Sequence, residues 1–241
     1  MSVYTREYRL LSSDTDMYRR LRYSRLFTLL QEVSIVHATE LGAGRDKTLD
    51  RGLLWIVTLQ QATVTRMPEY DEFIRIETWP GKTMHLLFPR YYRIMDEAGN
   101  VLIEASALWA LMDQSTRKVA FPEQHGIVVE GTTNGNTIPM PSAPRMPKVE
   151  ETAPFTVPYS YVDLNGHMNN TRYFDLAEDT MPPALRMRAV RKIQTEYSRE
   201  VKLGETFDVR CEQNGDAFLV AGECAGQKLF RLCLTFAPEE A

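Results

Sequence analysis

The chain has 241 residues, which is enough for one large domain or two small units. Its formal net charge of −4 at pH 7 argues against a general nucleic-acid-binding protein. The sequence contains no apolar run of the roughly 18 residues that a membrane-spanning helix needs, and its N-terminus is polar. We therefore predict a cytoplasmic protein. Its three cysteines lack C-x-x-C spacing and are expected to be small buried residues on strands: Cys211, Cys224 and Cys233.

The first half is predicted to be one helix followed by strands. Apolar residues recur at three- and four-residue steps over residues 18–41, and the wide apolar stripe indicates a mostly buried helix. Turn signals then separate runs with strand character. The predicted strands are residues 53–66, 72–79, 86–96, 101–113 and a shorter run at 118–121.

A proline-rich stretch separates this half from the next. The chain between Pro122 and Pro158 holds seven of the thirteen prolines and a polar run from Gly131 to Thr137. A structureless loop of this length is unusual inside a compact domain but natural between two similar units. We therefore predict an N-terminal unit at 1–121, a connector at 122–157 and a C-terminal unit at 158–241.

The second half repeats the order of elements. A helix is expected over residues 170–180, with Asn169 or Asn170 as its N-cap and Met181-Pro182-Pro183 as its stop. The predicted strands that follow are residues 189–201, 205–213, 217–225 and 228–237. The predicted fold is α+β, with two tandem hot-dog units, each an antiparallel sheet wrapped around a long helix.

The two halves differ in polar residues at matching places. A shift of 149 positions aligns Tyr18 with His167, and a shift of 134 aligns Arg66 with Glu200. The loops before the two helices are therefore not expected to serve the same polar function.

The densest polar cluster precedes the second helix. Asp163, Asn165 and His167 stand at i, i+2 and i+4, so in an extended turn all three side chains point to one side. The helix start behind them offers free N–H groups for a developing oxyanion, and Gly166 allows a ligand to approach the backbone. The alternative is a capped loop whose Asp and Asn only satisfy turn amides, with His167 an incidental residue.

A second candidate lies at the end of a predicted strand. Glu200 shares a strand face with Glu196 and Ser198 if the strand alternates regularly. A carboxylate at this end could meet the polar loop and act as general base for a water molecule. The alternative is a solvated glutamate at a strand end, and the residues alone leave both open.

These segments resemble those of the acyl-acyl-carrier-protein thioesterases of plant plastids and bacteria. The residues that carry the resemblance are 163–170 with Tyr173 and 196–200 in the second half, and 77–79, 90–92, 107–113 and 116–118 in the first. The resemblance covers nearly the whole chain and includes the tandem hot-dog layout. It implies a thioester hydrolase whose catalytic residues are Asp163, Asn165, His167 and Glu200.

The resemblance also implies how the reaction proceeds. Glu200 or Asp163 would deprotonate the attacking water, His167 would orient the reactants or protonate the departing thiolate, and Asn165 would polarise the carbonyl with amides of the helix start. Some members follow the glutamate with a cysteine, whereas this chain has Val201. This difference disfavours a cysteine acyl-enzyme and favours direct attack by water.

The implied substrate is fatty acyl-acyl carrier protein, whose hydrolysis releases a free fatty acid. The acyl chain requires an apolar tunnel, for which the candidates in the first half are Leu26, Leu30, Trp55, Trp79, Met84 and Trp109. Because the carrier of this family is acidic, two basic stretches are candidates for its docking surface. These are Arg19, Arg20, Arg22 and Arg25, and Arg186, Arg188, Arg191 and Lys192.

Several alternatives stay open. A coenzyme A thioesterase or a non-catalytic acyl-binding or regulatory protein could use the same fold. A hot-dog hydratase is disfavoured because it uses an Asp–His pair spaced five apart with a proline between, whereas Asp163 and His167 are four apart with Gly166 between. Both a monomer and a homodimer are compatible with the tandem layout. We predict no cofactor and no metal, because the chain lacks a dinucleotide fingerprint and the histidines are widely spaced: His37, His85, His125 and His167.

Overall fold

The computed structural model describes residues 3–131, 136–145 and 152–238. The strands of these ranges are β1 (Tyr4–Arg9), β2 (Leu53–Val64), β3 (Phe73–Pro80), β4 (Leu87–Asp96), β5 (Val101–Asp113), β6 (Ala153–Thr156), β7 (Val190–Tyr197), β8 (Thr206–Asn214), β9 (Ala217–Cys224) and β10 (Gln227–Phe236). They form one ten-stranded sheet in the order β1-β3-β4-β5-β2-β7-β10-β9-β8-β6. Every neighbouring pair is antiparallel. The order in the first half recurs in reverse in the second, so the halves meet where β2 pairs with β7.

The helices differ in length. α1 (Tyr23–Glu40) has 18 residues, α2 (Arg172–Thr180) has 9, and α3 (Pro183–Arg186) is a single turn. α1 begins five residues later than predicted, because Arg19 has a positive φ of 66° and Thr15 pairs with Leu21 in a β-bridge. The predicted stop at Met181 is confirmed, but the expectation of a long helix in each half is met only by α1.

The cap of α2 also differs from the prediction. Thr171, rather than Asn169 or Asn170, occupies the N-cap position. Asn169 acts one step earlier, because its Oδ1 accepts hydrogen bonds from the backbone N of Thr171 (2.9 Å) and from the Thr171 hydroxyl (2.8 Å). The asparagine therefore holds the chain as it enters the helix.

Most strands lie where the sequence pattern places them, and the exceptions have physical reasons. β5 matches its predicted bounds, whereas the strand predicted at 118–121 is wrong, since only Val119 pairs, with Met112. The edge strands β1 and β6 were not predicted. Their residues are mostly exposed, so they lack the apolar alternation that marks a half-buried strand.

Equivalent residues of the two halves touch at the centre of the molecule. Phe27 of α1 and Phe174 of α2 are fully buried, and their rings stack with centroids 4.3 Å apart and planes 4° apart. In the sheet, Gln61 of β2 pairs with Gln194 of β7. Ser142, in the described part of the connector, donates to Oε1 of Gln61 (3.2 Å) and accepts from Nε2 of Gln194 (2.8 Å). The two halves of the sheet are therefore joined at β2 and β7 by a side-chain hydrogen-bond chain, and the two helices by a ring stack.

A largely buried carboxyl group on α2 makes the stability of the protein depend on pH. The pKa of Glu178, on α2, is raised to about 7 by burial, against the opposing charge of Arg22. A folded-state pKa above the unfolded value stabilises the fold at low pH, and this stabilisation is lost as pH rises through about 7. At pH 8 we expect Glu178→Gln to have a free energy of unfolding on the order of 2–3 kcal/mol above that of the wild type, as measured by urea denaturation. Near pH 5 the two proteins should have similar stability.

The control for this test is Glu40→Gln, which removes an exposed carboxylate at the end of α1. This variant should keep the pH dependence of the wild type. If the stability of Glu178→Gln fell with pH as steeply as that of the wild type, the carboxyl of Glu178 would not be the titrating group.

Candidate active site

The loop before α2 is a tight turn rather than an extended one. Val162 pairs with Met168, the backbone N of Asp163 donates to the carbonyl O of His167 (3.0 Å), and the N of Gly166 donates to the O of Asp163 (3.0 Å). The turn closes because Gly166 adopts a positive φ of 78°, which glycine does without strain. The expectation that residues 163, 165 and 167 point to one side rests on an extended turn. It does not apply to a closed turn.

Asp163 serves this turn with both carboxylate oxygens. Its Oδ1 accepts the backbone N–H of Asn165 (2.8 Å), and its Oδ2 accepts the side-chain amide of Asn169 (3.2 Å). Asn165 itself is exposed at the tip of the loop. The aspartate shapes the loop, and the asparagine side chain faces outward.

The turn is fixed against the segment that follows β7. The N of Met168 donates to the O of Val201 (2.7 Å), and His167 forms a β-bridge with Lys202. This pairing brings Nε2 of His167 to 3.7 Å from Oε2 of Glu200. The imidazole is 14% exposed and the carboxylate 35% exposed. The structure thus brings together two of the four predicted site residues.

A residue of the first half joins them. Arg117, in the turn after β5, forms an ion pair with Glu200. Its turn is held by Asp113, whose side chain accepts hydrogen bonds from Ser115 and Thr116 that lower the pKa of Asp113 to about 2. Arg117 belongs to a segment that carries the family resemblance, but its place in the site depends on a contact between residues far apart in the chain, which no local pattern reveals.

The imidazole of His167 is held in a setting that favours its neutral form. Burial lowers the pKa of His167, and the positive charges of Arg117 and Lys202 lower it further, while the charge of Asp163 opposes them. A neutral imidazole at pH 7 can accept a proton and pass it on, which suits proton transfer at this site.

The matching loop of the first half corrects one alignment of the halves. Asp16 makes the bonds that Asp163 makes: its N donates to the O of Arg20 (2.8 Å), its O accepts the N of Arg19 (3.0 Å), and its Oδ1 accepts the N of Tyr18 (2.8 Å). The shift is therefore 147 rather than 149. Arg20, not Tyr18, stands where His167 stands.

The strand alignment needs a similar correction. The N of Leu21 donates to the O of Pro68 (2.8 Å), as the N of Met168 does to the O of Val201, so the shift is 133 rather than 134. Met67, not Arg66, therefore matches Glu200. The first half keeps the turn and its aspartate but has neither the imidazole nor the carboxylate.

An apolar cavity that is partly open to solvent lies in the first half, between α1 and the strands β2, β4 and β5. Two of the residues predicted to line an acyl tunnel, Trp55 and Trp109, are in its wall. Leu26 and Leu30 instead belong to the main core, and the remaining two candidates lie elsewhere: Trp79 packs on Tyr91 and Met84 is at the surface.

The cavity and the polar cluster share one end of the sheet. Trp55 pairs with Leu111, and Leu53 pairs with Asp113, whose carbonyl accepts the N–H of Arg117 (2.9 Å). Leu111, the partner of the cavity-lining residue Trp55, is therefore two residues along β5 from Asp113, where the turn that carries Arg117 begins.

Arg20 of the first predicted basic stretch, and Arg188 and Arg191 of the second, lie at the other end. Nη1 of Arg20 donates to the O of Arg188 (3.3 Å), and Nη1 of Arg191 donates to the O of Thr65 (2.6 Å), just beyond the C-terminal end of β2. From Arg191 to Tyr197, β7 runs roughly 20 Å toward Glu200, at about 3.3 Å per residue. These three arginines therefore meet one another away from Glu200, whereas Arg22 and Arg25 line a surface pocket with Thr171 and Arg172 at the start of α2.

Other features of the described ranges concern binding and location. Within residues 3–131, 136–145 and 152–238, no group of three His, Cys, Asp or Glu side chains could hold a metal ion. No helix in those ranges is long and apolar enough to cross a membrane. The cysteines lie on β8, β9 and β10 as free thiols, but only Cys233 is fully buried.

Two family models match the chain. The acyl-ACP thioesterase N-terminal domain matches residues 1–124, and the acyl-ACP thioesterase C-terminal domain matches residues 145–226. The chain belongs to the acyl-ACP thioesterase family.

Individual relatives agree with this placement. The chain is 28% identical over 193 residues to a chloroplastic acyl-acyl-carrier-protein hydrolase of Cuphea viscosissima, covering 71% of this chain and 45% of the relative. It is 25% identical over 226 residues to the chloroplastic palmitoyl-acyl carrier protein thioesterase of Gossypium hirsutum, covering 86% and 55%. The chain thus spans about half the length of the curated relatives it matches. The crystal structure of an acyl-ACP thioesterase from Bacteroides thetaiotaomicron superposes with a TM-score of 0.88 at 23% identity over 98% of both chains, which shows a shared fold.

Proposed function

We propose that this protein hydrolyses the thioester of fatty acyl-acyl carrier protein, releasing a free fatty acid and ending chain elongation in fatty acid biosynthesis. The observation that carries the proposal is the approach of His167 to Glu200, with 3.7 Å between Nε2 and Oε2, near an apolar cavity. A carboxylate paired with a neutral imidazole provides for proton transfer, and a cavity of this kind accommodates an aliphatic chain.

In the proposed reaction, Glu200 is the general base. It takes a proton from a water molecule as the water oxygen attacks the thioester carbon, and the C–S bond then breaks. His167 relays the proton to the departing thiolate, so the products are a carboxylic acid and a free thiol. Asp163 is less suited to the role of base, because both of its oxygens already accept hydrogen bonds within the loop.

The carbonyl oxygen is proposed to bind the side chain of Asn165. The helix-start amides are less available than the sequence suggested, because the N–H groups of Thr171 and Arg172 already donate to Asn169. Asn165 is exposed at the tip of the turn, where its amide can donate to a substrate that enters from solvent.

Arg117 is proposed as a positioning residue, and its removal has a predicted effect on pH dependence. Its charge is one of the causes that lower the pKa of His167, so Arg117→Met should raise that pKa. We expect the acid limb of the kcat/KM profile to move to higher pH in Arg117→Met and to keep its wild-type position in Arg117→Lys. A methionine variant with a weaker rate but an unmoved acid limb would assign Arg117 a purely structural role.

We further infer that the sheet comprises two tandem hot-dog units, an N-terminal one at 1–121 for the acyl chain and a C-terminal one at 158–241 for the chemistry. The connector at 122–157 joins them, and its last part, β6, adds an edge strand to the C-terminal half of the sheet. The reversed strand order and the contact between equivalent residues support this division. The ion pair between Arg117 and Glu200 supports a further contribution of the first unit, which is a side chain that positions the general base.

The proposed partner is an acidic acyl carrier protein that docks beside the site. Exposed basic residues near Glu200 include Lys118, Arg199 and Lys202, which favours this end of the molecule as the docking surface over the end that holds Arg188 and Arg191. A cytoplasmic location and a monomeric or dimeric state remain predictions from the sequence, and the plant relatives are named as chloroplastic.

The experiment that tests the function is thiol release from acyl-carrier and acyl-coenzyme A thioesters of several chain lengths, at low and high salt. We expect turnover of carrier-bound substrates to be faster and to fall more steeply with salt, since docking of opposite charges is screened. Equal rates and equal salt dependence would favour a coenzyme A thioesterase. Acyl binding without thiol release would favour a non-catalytic acyl-binding or regulatory protein.

A further inference from the structure

One wall of the apolar cavity carries a buried guanidinium. Arg90, on β4, is 6% exposed and lines the cavity together with Ser34. Its Nη1 donates to Nδ1 of His37 (3.1 Å) and to Oγ1 of Thr78 (3.2 Å). The reaction proposed above uses none of these side chains.

Both partners of this guanidinium are neutral. The pKa of His37 is lowered to about 4 by burial and by the charge of Arg90, so its imidazole is uncharged at pH 7. In the part of the chain that the structure describes, Arg90 forms no ion pair with a carboxylate. A buried charge without a counter-charge is unfavourable, and proteins ordinarily pair it.

The guanidinium also has donors to spare. It carries five N–H groups in a planar fork, and the bonds to His37 and Thr78 both come from Nη1. Within the described ranges, Nε and Nη2 make no further hydrogen bond to the protein, although the side chain borders open space. The fork is therefore available to a ligand in the cavity.

We propose that the cavity binds an aliphatic chain ending in a carboxylate, with Arg90 as the partner of that carboxylate. A carboxylate matches the fork with two parallel hydrogen bonds and supplies the missing counter-charge, which a hydroxyl or keto group does not. Trp55, Phe88 and Trp109 provide the apolar wall for the methylene groups.

Two ligands share this chemistry, and the inference rests on the proposed function for both. One is the free fatty acid product, bound with its carboxylate at Arg90. The other is an acyl thioester whose far end carries a second carboxylate, so that Arg90 selects the substrate. In either case the cavity recognises a carboxylate in addition to the aliphatic chain.

The test is a binding titration that requires no turnover. Because Trp55 and Trp109 line the cavity, intrinsic fluorescence can follow binding of a medium-chain fatty acid and of the primary alcohol of the same length. We expect the wild type to bind the acid more tightly than the alcohol. Arg90→Met should weaken binding of the acid by about tenfold or more and leave binding of the alcohol within about twofold.

The control variant is Arg93→Met on the same strand, which removes an arginine that pairs with Glu104 outside the cavity. It should bind both ligands as the wild type does. Equal affinity of the wild type for acid and alcohol would overturn the proposal, and this comparison stands even if Arg90→Met fails to fold. Unchanged acid binding by a folded Arg90→Met variant would overturn it as well.

Kinetics then separate the two sources. A wild type that hydrolyses thioesters of dicarboxylic acids in preference to plain acyl thioesters, with the preference lost in Arg90→Met, identifies the distal carboxylate of a substrate. Inhibition by free fatty acid that weakens in Arg90→Met, without such a preference, identifies the product. A protein that binds the acid at Arg90 but hydrolyses no thioester refutes the proposed function and leaves the carboxylate site intact.

Discussion

Glu200→Gln should lower kcat for thioester hydrolysis by about 10²–10⁴-fold, the usual contribution of a general base. The substitution keeps the size of the side chain and its capacity to accept a hydrogen bond from Arg117, but glutamine cannot take a proton from water. We expect KM and the thermal unfolding midpoint to change little, because the carboxylate is 35% exposed and lies three residues beyond the end of β7, outside the strand in which the sequence pattern had placed it. Thiol release under saturating substrate measures the effect.

The matched control is Glu223→Gln. Glu223 pairs with Arg210, and the side-chain exposures of this pair, 35% and 34%, equal those of Glu200 and Arg117. The control removes the same charge in the same kind of ion pair, away from His167. If both variants kept near-wild-type rates, the water would have another base, and the assignment of Glu200 would be wrong.

His167→Ala should also reduce kcat by at least about 10²-fold, because the thiolate then leaves without a proton donor at hand. His125→Ala is the control, since His125 is an exposed imidazole at the start of the connector. The second part of the test is the double variant. Residues that act as a unit show strongly non-additive losses, so His167→Ala combined with Glu200→Gln should be little slower than the slower single variant.

Additive losses in the double variant would mean that the two groups act independently and that the 3.7 Å approach of Nε2 to Oε2 has no role in proton transfer. A wild-type rate in His167→Ala alone would remove the imidazole from the mechanism altogether.

Local pattern was enough to locate most of the sheet and the loop that bears the site. β5 and the end of α2 follow from apolar periodicity and from a proline stop, both of which act over a few residues. The edge strands β1 and β6 were not predicted, because most of their side chains face solvent and show no apolar alternation. Backbone pairing with β3 and β8 is what makes these segments strands.

The alignment of the halves shows a different limit. The shift of 149 positions places Asp14 opposite Asp163, and the hydrogen bonds contradict this pairing. Asp14 is a buried side chain bonded to Tyr8 and Arg25, whereas Asp16 makes the turn that Asp163 makes. A residue type in a loop does not reveal which amides it will accept, and that choice sets the register. Arg117 escaped for a related reason, since only the completed sheet brings it to Glu200.

The stacked rings of Phe27 and Phe174, together with the pairing of β2 and β7, have a consequence for how the protein can diverge. Separating the halves would expose two open sheet edges and two large aromatic side chains. The two halves therefore stay associated, as the subunits of an obligate dimer do. Since they share one chain, a substitution in one loop is not copied into the other, as it would be in a symmetric dimer. The two equivalent places can therefore differ, with Arg20 and Met67 at one end of the molecule and His167 and Glu200 at the other.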